Sequence, residues 1–312
     1  MWVLSRVMSS LAVLLIVSLM LFALCRATPV SPARLTLGAD ASVGQVADFE
    51  RQYGLDLPVW TQYRNWLSGA VRFDFGESYV SGAPISRQIK LTLPVTIELV
   101  SLSFLVTVLV ATLFGVIAAL NEDRMLDHAL RMVAIIGLSI PGFWLALLLV
   151  RYLAVSLAWF PAGGIPALSA GVGEHLRALV LPVVAISFYY VSVLSRLVRA
   201  NMIDALSQEY IRTAEAMGLS RMRIWLYALK NALPPLVSMA AMIYGYMFGW
   251  ALIVEQVFNL PGVSRELLAA IFSRDYPTVQ AIVLIITVIF ILSNTAADIL
   301  QRTLSPKLRG QH

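Results

Sequence analysis

Three lysines, three histidines and one cysteine bound the chemistry open to this 312-residue chain. Lys90, Lys230 and Lys307 are its whole lysine complement, and none follows a glycine. The Gly-x-x-x-x-Gly-Lys loop that cradles a nucleotide phosphate is therefore absent. His128, His175 and His312 read as residues of loops or of the chain end. An intramembrane serine hydrolase needs a serine facing a histidine within the bilayer. Ser139 lies inside an apolar run, but no histidine is expected at that depth. There is no His-Glu-x-x-His, and Cys25 alone can form neither an intrachain disulfide nor a cysteine metal site. The expectation is a protein that is not an enzyme and holds no metal.

Ionisable residues at membrane depth are expensive and call for a functional hypothesis. Glu98, Arg151, Glu255 and Asp298 qualify. All but Arg151 fall near a predicted interface, where they would reach water, and Arg151 can extend its stem to the outer headgroups. An ion-coupled carrier usually buries a carboxylate beside a broken helix. Pro141 and Gly142 interrupt an apolar run, yet no carboxylate accompanies them, so a kink that shapes a pore or gate is expected there, with Glu255 as a second gate candidate.

These residues are positioned by elements of unusual composition. The chain is 59% hydrophobic and 13% charged, against about 25% charged in soluble domains. Apolar runs near 5–26, 95–120, 130–158, 178–198, 234–257 and 279–300 are each long enough to span ~30 Å of hydrocarbon as a helix. They are continuous rather than alternating, so an all-α membrane protein with six transmembrane helices is expected, not a β-barrel. The first run, with Arg6 ahead of Leu11–Leu24, shares the outline of a signal peptide. Phe22-Ala-Leu-Cys25 is a poor lipoprotein-type site, and an uncleaved helix is expected.

The basic residues orient these spans. Arg6, Arg124, Arg131, Arg196, Arg199, Arg212, Arg221, Arg223, Lys230, Arg302, Lys307 and Arg309 fall on one side, against Arg177, Arg265 and Arg274 in the short loops of the other. Both termini and the 199–233 loop are expected in the cytoplasm, and 27–94, 159–177 and 258–278 outside. Within 27–94, Tyr53–Trp60 and Tyr63–Trp66 carry aromatics at helical spacing, and Asp74–Ser78 and Ser81–Pro84 carry turn signals. Short interfacial helices are expected there, serving as a structural cap or as a platform for an external partner.

The most distinctive segment lies on the basic side. Arg212-Thr-Ala-Glu-Ala-Met-Gly218 has good helix formers and stops at a glycine suited to a left-handed turn. A second amphipathic stretch, Arg221–Leu229, suggests a helix-turn-helix lying along the membrane. Ala214 and Ala216 would let another protein approach closely. Lipid headgroups are the competing occupant, but Gly218 and the alanines add nothing to lipid affinity.

Arg212-Thr-Ala-Glu-Ala-Met-Gly-Leu-Ser220 followed by Asn231-Ala-Leu-Pro234 resembles the cytoplasmic "EAA" loop of the permease subunits of bacterial binding-protein-dependent ABC importers, in the form used by their dipeptide/oligopeptide/nickel branch. Arg212 stands where the general form has glutamate. Gly54-Leu-Asp-Leu-Pro58, Asp74-Phe-Gly76, Ser139-Ile-Pro-Gly-Phe-Trp144, Val254-Glu-Gln-Val-Phe258 with Pro261-Gly262, and Arg274-Asp-Tyr-Pro277 extend the resemblance over essentially the whole chain.

The resemblance implies a single transmembrane domain over 1–312 in the inner membrane, paired with a second permease. It implies two cytoplasmic ATPase subunits that bind the ATP and Mg, and an extracytoplasmic substrate-binding protein. The coupling residues it implies are Arg212, Thr213, Ala214, Ala216, Gly218, Leu219 and Ser220. Pathway-lining candidates are Ser238, Tyr244, Tyr246 and Trp250, which alternatively serve helix packing. The branch allows dipeptides, oligopeptides, glutathione-like peptides, nickel or other metal chelates. The competing function is an ion-coupled carrier or channel acting without ATPases, which predicts buried carboxylates and an internal repeat.

Overall fold

The computed structural model describes residues 2–27, 31–38 and 40–304. These are helical almost throughout, and the one pairing of extended backbone among them is the Glu77–Pro84 bridge. Helices α1 (Trp2–Arg26), α2 (Pro32–Leu37), α3 (Val43–Gln52) and α4 (Val59–Val71) lead into α5 (Ile85–Leu120). Then come α6 (Met125–Ser139), α7 (Gly142–Leu149) and a π-helical turn, Val150–Ser156. The long α8 (Val172–Leu206) and α10 (Arg221–Val257) flank the short α9 (Glu209–Ala216), and α11 (Val263–Ser273) precedes α12 (Tyr276–Leu304).

Five helices are long and apolar enough to cross a bilayer, and the α6–α7 pair makes a sixth span if counted as one. The six expected runs are thus recovered, with one correction. The third, expected as a single kinked helix over 130–158, is broken and bent by 100°. A residue before proline is driven out of the α region. Ile140 accordingly takes φ −79°, ψ 122° and Pro141 φ −61°, ψ 127°, two extended residues that end α6 and begin α7.

The packing divides the chain into two compact units. One holds the chain up to Thr96 with Pro261–Ile291, and the other holds Ile97–Leu260 with the chain from Leu292. In the first, α1 packs on α4. The Ser18 and Tyr63 hydroxyls bond at 2.8 Å, and Phe22 meets Tyr63 edge-on, with ring centres 5.4 Å apart. The short helices expected in 27–94 are present. Ser42 and Gln45 form a capping box at the start of α3, satisfying two amides that the first turn leaves unpaired. Phe49, Tyr53 and Tyr79 form an aromatic cluster. Burial there pushes the Tyr79 phenol up to about 12, so it stays neutral. The Asp275 carboxylate accepts from Ser78, from the Tyr79 amide and from Thr278.

In the second unit α8 packs against α6, α7 and α10. It also runs parallel to α5, touching it at three levels. His175 meets Glu98 (2.8 Å), the Ser187 hydroxyl donates to the Ser103 carbonyl (3.0 Å), and Gly115 lies against Val198. A Cβ on Gly115 would come within 2.7 Å of the Ser195 carbonyl, so glycine permits this approach.

His175 is therefore not a loop residue. It sits in the first turn of α8, buried, with Nδ1 2.7 Å from the Pro166 carbonyl. A carbonyl can only accept, so Nδ1 donates, and one proton lies between Nε2 and Glu98. Glu98, expected simply to reach water, is held by this pair. Glu255, expected near water at a helix end, has no exposed surface at all. Arg151 is exposed on the π turn and Asp298 half-buried on α12.

Candidate functional site

α9 is a two-turn helix between the long helices α8 and α10. Its N-cap residue, Gln208, is extended and Glu209 opens the first turn, where a carboxylate suits the helix dipole. Its C-terminus closes as a Schellman motif. The Leu219 amide reaches back to the Ala214 carbonyl (3.1 Å) and the Gly218 amide to the Glu215 carbonyl (2.9 Å). That geometry places Gly218 at φ +75°, a left-handed conformation that costs a residue with a Cβ roughly 1–2 kcal/mol. The expected helix and its glycine stop are both present.

The second amphipathic helix expected after Ser220 is not separate. Arg221–Leu229 forms the first turns of α10, which continues unbroken through Pro234 and Pro235 to Val257. Proline removes an i−4 bond, but Lys230 and Asn231, whose carbonyls are freed, are exposed. The 199–233 loop thus reduces to α9 and its flanking turns, since 199–206 belong to α8.

Within α9, Ile211 and Ala214 face inward and are buried. Ala214, expected among the coupling residues, is buried against its own chain. Arg212, Thr213, Glu215, Ala216, Gly218 and Ser220 are exposed, and Leu219 is half-buried. Met217, absent from the sequence-based set, is 74% exposed, and Met222 and Leu226 on α10 are also exposed. An apolar residue between Ala216 and a left-handed glycine was the available signal: the turn projects it outward whatever its hydrophobicity. The exposed face therefore combines Arg212 with a soft apolar knob, residue types enriched at protein interfaces.

The pathway candidates do not form one group. The Tyr244 hydroxyl lies 3.2 Å from that of Ser101, and its ring packs edge-on against Phe104 and Phe248. Trp250 tilts over Tyr189 (5.7 Å) and covers Gly142, leaving no room there for a Cβ. Both make packing contacts within this chain. Tyr246 is exposed and Ser238 half-buried. Of the gate candidates, Pro141 is exposed at the bend, and Gly142 is buried beneath Trp250.

A site not read from the sequence lies at the other end of α6. Asp127 is fully buried, and its two carboxylate oxygens take the Arg199 Nε and Nη2 at 2.7 Å each. The Asp123 amide donates to Oδ2 at 3.1 Å, and Arg131 Nε lies 3.6 Å from Oδ1. Nothing in a sequence pairs residues 72 positions apart. Among the basic residues that set the orientation, the side chains of Arg6 and Arg302 and all of Lys307 and Arg309 lie outside the described residues.

Two family models match the chain. Residues 111–310 match the binding-protein-dependent transport system inner membrane component, and residues 1–100 the N-terminal component of such membrane proteins. A putative peptide transport system permease of Brucella abortus is 36% identical over 309 residues, covering 98% of each chain. The oligopeptide transport system permease AppB of Bacillus subtilis is 33% identical over 311 residues, with 98% of each covered. The glutathione transport system permease GsiC of Escherichia coli K12 is 34% identical over 309 residues, covering 99% of this chain and 98% of GsiC. Among solved structures, the inward-facing MetNI methionine ABC transporter superposes with a TM-score of 0.57 at 16% identity, over 70% of this chain and 96% of that one. That likeness is one of fold.

Proposed function

Because the chain belongs to the family of binding-protein-dependent transport system inner membrane components, we propose that it forms half of the translocation pathway of an ATP-driven importer for a peptide or peptide-like solute. The family description supports a multi-pass inner-membrane permease served by a substrate-binding protein, over an ion-coupled carrier working alone. The relatives' names favour peptides, glutathione included, and leave nickel or other metal chelates as a related class.

The observation that carries the reading is α9. It is a short helix exposed on one face, seated on its own chain by Ile211 and Ala214, and placed between α8 and α10. A second permease completes the pathway. Two ATPase subunits bind ATP with Mg²⁺ and grip the exposed residues Arg212, Thr213, Ala216, Gly218 and Ser220 and the half-buried Leu219, with Met217 added to the set. When the ATPases close, α9 moves as a rigid lever and α8 and α10 tilt with it. Both termini and α9 face the cytoplasm, and the 27–94 segment faces the binding protein. Tyr246 and Ser238 remain as pathway candidates on α10.

The test is purification of the tagged chain from its own membrane in mild detergent. Recovery with a second permease and ATPase subunits is expected. A chain that emerges alone, from membranes that contain the ATPases, overturns the reading.

A further inference from the structure

We propose that the Asp127–Arg199 pair is the joint that carries movement of α9 into the broken helix α6–α7. The proposal rests on the reading of α9 as the ATPase-driven lever. Arg199 lies near the end of α8 that leads through Ser207 and Gln208 into α9. Asp127 lies in the first turn of α6. The two-point fork, 2.7 Å at both oxygens, fixes rotation as well as separation.

Stability alone is a weak reason to bury such a pair, because well-packed apolar residues often serve as well or better. An apolar contact, however, can slide or roll, and this fork resists both. The Asp123 amide also holds Oδ2, so the turn before α6 is tied to the same carboxylate.

The rest of α6–α7 has two further supports. Gly137 lies against the Ser192 side chain of α8, and past the bend Gly142 lies against Trp250 of α10. The broken helix is thus locked to α8 at its α9-proximal end and rests by close contact on α8 and α10 at the bend. These are the two helices that α9 joins. When α8 turns, Asp127 must follow, and the 100° corner converts that turn into displacement of α7. Asp127 and Arg199 are positioning residues: they act through α6 and touch neither nucleotide nor solute.

The experiment uses the whole complex in lipid, with Cys25→Ala and a reporter thiol at Phe143→Cys, an exposed position on α7. The labelling rate with a membrane-permeant maleimide is measured with and without ATP plus vanadate, and ATP hydrolysis is measured alongside. With the native pair, trapping is expected to change the rate about tenfold. In Asp127→Asn and in Arg199→Lys, which keeps the charge but loses the fork, that change is expected to vanish while the ATPases still co-purify and hydrolyse ATP. A purely structural pair would instead lower assembly and hydrolysis together and leave the response of the assembled fraction intact, which overturns the proposal. A native-pair rate that ignores trapping overturns it as well, because α7 then does not move. Where Asp127→Asn fails to assemble, the Arg199→Lys response decides. A native complex without ATPases sinks the lever reading itself, and that outcome is distinct from a native response that persists in the variants.

Discussion

The Ser78 hydroxyl donates to the Asp275 carboxylate at 2.6 Å across 197 positions of chain. Its partner oxygen takes the Tyr79 amide at 2.9 Å, and Thr278 donates to the same carboxylate at 2.6 Å. Two motifs that look unrelated in sequence, Asp74-Phe-Gly76 with its following turn and Arg274-Asp-Tyr-Pro277, are thereby parts of one joint. Arg274 caps α11 in the left-handed region at φ 59°, which turns the chain so that Asp275 points into the joint and α12 can start.

Asp275→Ala should therefore release the 77–84 turn. Three donors lose their acceptor, and hydrogen bonds to a charged group contribute about 1.5–3 kcal/mol each, less than additively. We expect protease cleavage within 27–94 to accelerate at least about tenfold, corresponding to roughly 1.4 kcal/mol or more of local opening. Asp275→Asn, which keeps an accepting oxygen, should fall between. Cleavage at the native rate in Asp275→Ala would remove the joint from the account.

His175 and Glu98 form a second joint, between α8 and α5. His175→Ala leaves the Pro166 carbonyl without its donor and Glu98 without its hydrogen-bond partner, at a cost of about 1–3 kcal/mol. The check is a double-mutant cycle with Glu98→Gln, followed by thermal unfolding in detergent. A coupling of about 1 kcal/mol or more is expected, and additivity of the two changes would mean that the pair does not hold α8 to α5.

How much of this was legible follows from the range of each signal. Hydropathy and glycine stops are local, so the spans, the short outer helices and α9 were readable, down to the left-handed turn at Gly218. Boundaries governed by tertiary context were not. The fifth apolar run begins near 234, yet α10 starts at Arg221 and runs through Pro234 and Pro235, where Lys230 and Asn231 are exposed. Pro141 read as a kink, but extended geometry at both Ile140 and Pro141 made it a corner. Partners far apart in sequence were invisible: Asp127 with Arg199, His175 with Glu98, Trp250 over Gly142. The burial of Ala214 was hidden too, because composition marks it as small without saying which way it faces.

Gly218 separates backbone geometry from docking. It is exposed, and an added Cβ would meet nothing within 4 Å, so any defect in Gly218→Ala comes from the left-handed backbone or from a partner. Asparagine tolerates that conformation far better than alanine. If the turn alone matters, Gly218→Asn should transport nearly as the native protein does, while Gly218→Ala loses roughly 1 kcal/mol of local stability and part of its transport. If close approach of the ATPase matters, both should lose ATPase association at matched expression. We expect the second pattern, read by co-purification; native association in both variants would exclude Gly218 from the contact.

The tyrosines and tryptophan of α10 should divide in the same way. Trp250 fills the space above Gly142, and its removal leaves a cavity at the corner of the broken helix, so Trp250→Ala should destabilise the protein by about 3–5 kcal/mol. Gly142→Ala overfills the same place and should cost about 1–3 kcal/mol. Joining Gly142→Ala to the smaller Trp250→Leu should recover part of that loss, since the new methyl enters the space the indole vacates. Tyr246, by contrast, is 52% exposed. Tyr246→Ala should leave the unfolding temperature within a degree or so while changing uptake of a labelled dipeptide or glutathione. If instead Tyr246→Ala destabilises and Trp250→Ala alters only uptake, the division of α10 into a packing side and a pathway side is reversed.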